Sequence, residues 1–169
     1  RHAARTALAV LALLNAGESS SDPRIKSAVD FMMKTPTTGV YALGLRCSVW
    51  LMLPPSPAAR AAMQHDAEIL MASMKLKGIA RGMYDYIPTP KTLSYSHSRS
   101  QYAVLGMWAA AQSGMEIPDQ YWQVVEAAWK QHQNPNGGWG YLHPSQTTAE
   151  LSVTPGMTAV GGASLLNTR

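Results

Sequence analysis

Two kinds of apolar segment alternate along this chain, and the alternation restricts the fold more than any single motif does. Residues 3–16, 42–53, 98–112 and 155–167 are apolar or small on nearly every side. Residues 23–34, 57–75 and 118–133 carry their apolar residues on one stripe. In 23–34 the stripe is Ile25, Ala28, Val29, Met32 and Met33. In 118–133 it is Tyr121, Val124, Val125, Ala128, Trp129 and His132. Apolar positions that recur at three- and four-residue steps predict α-helices. A helix apolar all round is buried on several sides, whereas a striped helix buries one side. Apolar helices packed together, with striped helices outside them, satisfy both patterns. The expectation is therefore an all-α domain of helical hairpins, roughly 3–34, 42–75 and 98–133, plus a last helix at 155–167.

The segment boundaries support this reading. Asp22-Pro23, Ser56-Pro57 and Thr154-Pro155 each place a capping side chain before a proline at the first helical position. Pro118 opens a further helix. Gly17 and Gly114 stand where helices end, and Pro54-Pro55 stops 42–53. The stretch from Met83 to about Ser96 is a long proline- and tyrosine-bearing loop. A loop of that length is functional or an insertion.

A glycine–any–aromatic unit recurs between the segments. It reads Gly39-Val40-Tyr41, Gly82-Met83-Tyr84 and Gly137-Gly138-Trp139, with the glycines 43 and 55 residues apart. Recurrence on that scale is the signature of a repeat architecture. In the third copy Gln133, Gly137, Trp139 and Tyr141 form the structural motif. The glutamine can bond free backbone groups at a helix end. The glycine permits positive φ in the turn, and the tryptophan can clamp neighbouring hairpins.

The spacing Gln133-x-x-x-Gly137-x-Trp139 resembles the QW repeat of squalene and oxidosqualene cyclases and of the wider terpenoid-cyclase and protein-prenyltransferase superfamily. The helix starts at Thr6-Ala7-Leu8, Gln101-Tyr102-Ala103 and Met157-Thr158-Ala159 are similar to those of bacterial proteins with prenyltransferase and squalene-oxidase repeats. The resemblance implies an α/α toroid of which seven helices supply about half a ring. Its partners would be the remainder of the same toroid or a second copy. The chain begins at Arg1 directly in a helical pattern, as a piece of a longer protein would.

The same resemblance argues against the family's chemistry. Where a protonating cyclase carries its Asp-x-Asp-Asp acids, this chain has Ser96, Ser98 and Arg99. An alkene is a very poor base, so its protonation needs a strong, positioned acid. A prenyltransferase zinc site needs an aspartate, a cysteine and a distant histidine. Here the single cysteine, Cys47, lies inside an apolar helix and reads as a buried thiol. His65, Asp66 and Glu68 read as a solvated helical face, and His132 and His143 match no zinc spacing. No metal or cofactor is expected. The basic residues are scattered, with a net charge of +4, which gives nucleic acid no patch to bind. No apolar run reaches the length of a membrane span.

Polar and aromatic residues gather between Gly82 and Gln101. A toroid-fold polysaccharide lyase would use Arg99 to pair a substrate acid, His97 as base and Tyr95 as acid, with Tyr84, Tyr86 and Gln101 as ligand contacts. The favoured reading is a degenerate, non-catalytic repeat module that binds or scaffolds. The alternatives are a terpenoid-cyclase-type enzyme with its acids outside this chain, and the lyase.

Overall fold

The computed structural model describes residues 2–37, 39–91, 94–142 and 153–168. The described residues form seven α-helices and one short 3-10 turn, with no strand. The helices are α1 (His2–Asn15), α2 (Pro23–Lys34), α3 (Val40–Met52), α4 (Pro57–Ser73), α5 (His97–Gln112), α6 (Asp119–Gln131) and α7 (Pro155–Leu166); the 3-10 turn is Gly78–Ala80. Each of the seven expected helices is present, with ends displaced by a residue or two. His143 lies outside the described residues.

The capping chemistry behaves as the sequence implies at three starts. Asp22 accepts from the Arg24 amide, Ser56 from Ala59 and Thr154 from Met157, each with proline next to the cap. Pro118 is itself the cap of α6 and offers no side-chain acceptor. The first glycine–aromatic copy departs from expectation. Gly39 has extended backbone (φ −136°) and caps α3, so Tyr41 lies within the first turn of that helix. Gly82 and Gly137 do take positive φ, 82° and 85°.

The odd-numbered helices pack in a row, α1 on α3, α3 on α5 and α5 on α7. Among the even-numbered ones, α2 lies on α1, α4 against α3 and α5, and α6 against α7. α3 and α5 are buried on most of their circumference. α1 and α7 are not, which corrects the expectation for the apolar helices at the two ends. α1 buries the single stripe Ala3, Ala7, Val10 and Leu14, leaving Leu8 55 % exposed. α7 buries Met157, Gly161 and Ser164 and leaves Leu166 exposed. An inner helix needs a row neighbour on each side, and among the described residues the end helices have a row neighbour on one side, α3 for α1 and α5 for α7. No helix there is long and apolar enough to cross a membrane.

Candidate functional site

The tyrosines and charged groups around 84–101 are brought together, but they divide into a buried half and an open half. Tyr84 is fully buried. Its hydroxyl lies 2.9 Å from that of Tyr121, and its amide donates to Ser100 Oγ over 2.9 Å. Burial pushes both phenols well above their ordinary range. Tyr84 is thus a core strut rather than a surface contact. Tyr95 is also buried, with its ring packed 5.2 Å from that of His132.

His97 opens α5 and is 0 % exposed. Its Nδ1 lies 2.6 Å from the carbonyl oxygen of Gly140, and its Nε2 lies 2.7 Å from Nδ1 of His132. The far nitrogen of His132, Nε2, is 2.7 Å from the carbonyl of Ile79. A general base must bring a nitrogen to the substrate proton. His97 has both nitrogens turned inward to protein partners. The sequence pattern sets His97 in a loop and gives His132 to a helix stripe; their contact spans 35 residues and no local pattern announces it.

The open half is built on Arg99. Its guanidinium pairs with Asp85 at 2.7 Å, donates to Ser94 Oγ and lies 3.9 Å from the ring centre of Tyr86. Lys75 is buried nearby and donates to the Thr89 carbonyl over 2.5 Å. Burial lowers the Lys75 pKa, and the Asp85 carboxylate works against that shift. Tyr86 remains 56 % exposed and leans on Tyr41. Tyr41 in turn packs at a tilt against Tyr102, with ring centres 4.6 Å apart, and donates to Ser98 Oγ. Gln101 is half-buried and donates to the Ser98 carbonyl. Tyr41, Tyr86 and Ile87, with His2, Arg5 and Thr37, line a cavity of about 790 Å³ at the start of the odd-helix row. An open aromatic wall with a cation beneath it can stack and hold a ligand. The arrangement leaves no free acid or base at that wall among the residues the sequence nominated.

The Gln133–Tyr141 turn is a clamp. Trp139 Nε1 donates to the Trp129 carbonyl at the end of α6 over 2.9 Å. The indole ring lies so close over Gly161 of α7 that a Cβ there would come within 2.3 Å of it. Gln133 donates to the carbonyl of Gly137 within its own turn, rather than to a helix end as the motif suggests. Tyr141 is exposed, but its carbonyl accepts from the His97 amide over 2.9 Å. Replacing Trp139 with Phe keeps most of the packing and leaves the buried Trp129 carbonyl unmatched. Urea unfolding of W139F should show a loss of about 2 kcal/mol; an unchanged midpoint would mean the indole bond contributes nothing.

Cys47 is buried in α3, where burial pushes its thiol far above the ordinary range. His65 and Glu68 face solvent, but Asp66 between them is buried against α3, contrary to the expected solvated face. Among the described residues no three His, Cys, Asp or Glu side chains gather closely enough to hold a metal ion. Comparison with protein-family models, with curated proteins and with solved structures finds no match to this chain.

Proposed function

We propose that this chain is a squalene-cyclase- and prenyltransferase-like repeat segment, about half of an α/α toroid, that serves as a non-catalytic binding or scaffold module. The observation that carries the reading is the occupation of its would-be catalytic groups. His97 spends both ring nitrogens on Gly140 and His132, and Arg99 holds Asp85. The consecutive packing of the odd-numbered helices and the Trp139 clamp between α6 and α7 support the repeat reading. The Tyr41–Tyr86–Ile87 wall is the surface on which such a module would hold a ligand. The exposed stripes of α1 and α7 are where the rest of a ring, or a second copy, would continue the row.

The test is turnover. The protein is incubated separately with squalene, with a prenyl diphosphate plus a cysteine-containing acceptor peptide, and with a polyuronate. No product is expected in any of the three. Product formation in any of them, abolished by Arg99→Ala, overturns the non-catalytic reading in favour of the corresponding enzyme.

A further inference from the structure

The hydrogen-bond line Gly140–His97–His132–Ile79 has more acceptors than two neutral imidazoles can serve. Both ends of the line are backbone carbonyls, which only accept. His97 Nδ1 must therefore carry a proton toward Gly140, and His132 Nε2 must carry one toward Ile79. Two neutral rings have no further proton. Their remaining nitrogens, His97 Nε2 and His132 Nδ1, would then meet lone pair to lone pair at 2.7 Å. Three short contacts need three protons on two rings.

We propose that His97 and His132 share a buried third proton, and that this proton latches the end of α6 and the Gly78–Ala80 turn to the start of α5 as a pH-sensitive device. The charge belongs mainly on His132. That residue caps the C-terminus of α6, where the helix dipole favours a cation, whereas His97 is the first residue of α5, where the dipole disfavours one. His132 Nδ1–H then donates to His97 Nε2, and His97 stays neutral with its proton on Nδ1.

Rings and carbonyls contact the pair from several elements. Tyr95, from the segment before α5, packs 5.2 Å from His132 and 6.3 Å from His97, and is a titratable side chain in contact with both. From α6, Trp129 presents its ring 5.2 Å from that of His97. The two turns present the carbonyls of Ile79 and Gly140. The charged side chains next along these elements are engaged or outward. Arg99 pairs with Asp85, Lys130 with Glu126, Lys75 reaches Thr89, and Arg81 is exposed. When the third proton leaves, the ring-to-ring contact fails; the Gln133–Tyr141 turn keeps the bond from the His97 amide to the Tyr141 carbonyl, and the link lost is the one that joins the end of α6 and the Gly78–Ala80 turn to α5 through the two rings. The two rings titrate as one unit.

Above the pH at which a free histidine is deprotonated (about 6.5), the unfolded chain holds two ring protons on these residues and the folded chain three. Folding then binds a proton, so stability falls as pH rises through this window. The folding constant drops about tenfold per pH unit until the pair itself loses the proton.

Nitrogen-15 NMR of the histidine-labelled wild-type chain counts the ring protons directly, with the exposed His2 and His65 as internal references. At pH 7.5 the expected pattern is a doubly protonated His132 beside a neutral, Nδ1-protonated His97. Two neutral rings at that pH overturn the proposal. Urea unfolding from pH 6.5 to 8.5 supplies the second reading. The wild type should lose folding constant about tenfold per unit relative to His132→Gln. Parallel profiles for the two proteins also overturn it. If H132Q does not fold, the proton count in the wild type decides by itself.

Discussion

Gly44→Ala should destabilise the protein by about 3 kcal/mol, although the same change in an ordinary helix is stabilising by about 1 kcal/mol. A Cβ at Gly44 would lie 2.0 Å from the carbonyl oxygen of Tyr102 and 2.7 Å from its carbon. Both are backbone atoms of α5 and cannot rotate aside. Opposite, a Cβ at Gly106 would sit 2.8 Å from the Gly44 Cα. The two glycines thus let α3 and α5 approach backbone to backbone at the centre of the odd-helix row. Relief of the clash requires the helices to part, which would loosen Val40, Leu43, Cys47, Val104 and Met107 in the core between and around them. Gly162→Ala is the matched control. It lies in α7, where an added Cβ would meet nothing within 4 Å, so it should be neutral or gain up to about 1 kcal/mol. Urea midpoints of the two variants give the comparison; G44A unfolding with the wild type would refute the close approach.

The same pair of helices shows how much of the fold can be read from sequence. Which residues form α3 and α5, and that both are surrounded, follows from local information: periodicity, the prolines at 54 and 55 and the glycine at 114. The row of odd-numbered helices follows from the alternation of apolar and striped segments, because buried area has to find partners. What periodicity lacks is the identity of the atom opposite. Gly44 and Gly106 read as weak helix formers inside apolar runs, and only their mutual placement explains them. The end helices mislead for a related reason. The sequence of α1 looks as apolar as that of α3, but the burial of Leu8 depends on a neighbour the described residues do not supply.

The candidate site is legible in content and not in arrangement. Tyr84, Tyr86, Tyr95, His97, Arg99 and Gln101 do gather in one region, since they lie on one loop and the helix start it leads into. Their division into buried and open members cannot be read from sequence. Tyr84 turns inward because Tyr121, 37 residues away, offers its hydroxyl. His97 turns inward because Gly140 and His132 fill both its nitrogens. A polar residue at a helix start is equally suited to substrate or to a distant carbonyl. Chain topology makes that choice, and it is non-local. The Gln133–Tyr141 turn is more transparent, because a tryptophan between glycines has few uses other than packing over small residues such as Gly161.

Asp66 is the clearest example of a residue hidden by its neighbours, and its removal should rank with Gly44→Ala in cost. Flanked by His65 and Glu68, it reads as part of a wet helical face. It is in fact fully buried, with Oδ2 accepting from Trp50 Nε1 and pairing Arg46 Nε, both at 2.8 Å. Arg46 is itself buried, and its Nη1 also donates to the Thr35 carbonyl over 3.0 Å and to the Thr37 hydroxyl. Burial outweighs the Trp50 bond and the Arg46 charge and holds the Asp66 carboxyl above its ordinary range, while Oδ1 has no hydrogen-bond partner among the described residues. The pair is therefore an expensive arrangement that ties α4 to α3 and, through Arg46, to the segment after α2. Asp66→Ala strands the guanidinium and the indole N–H, and should cost about 3–5 kcal/mol in urea unfolding. Asp66→Asn retains an acceptor for Trp50 and should cost less by about 1 kcal/mol. The double change Arg46→Met with Asp66→Leu removes both charges at once and should be less damaging than Asp66→Ala alone, because no unpaired charge is left inside. If the double variant were as unstable as Asp66→Ala, packing around α4 rather than the stranded charge would be the cause.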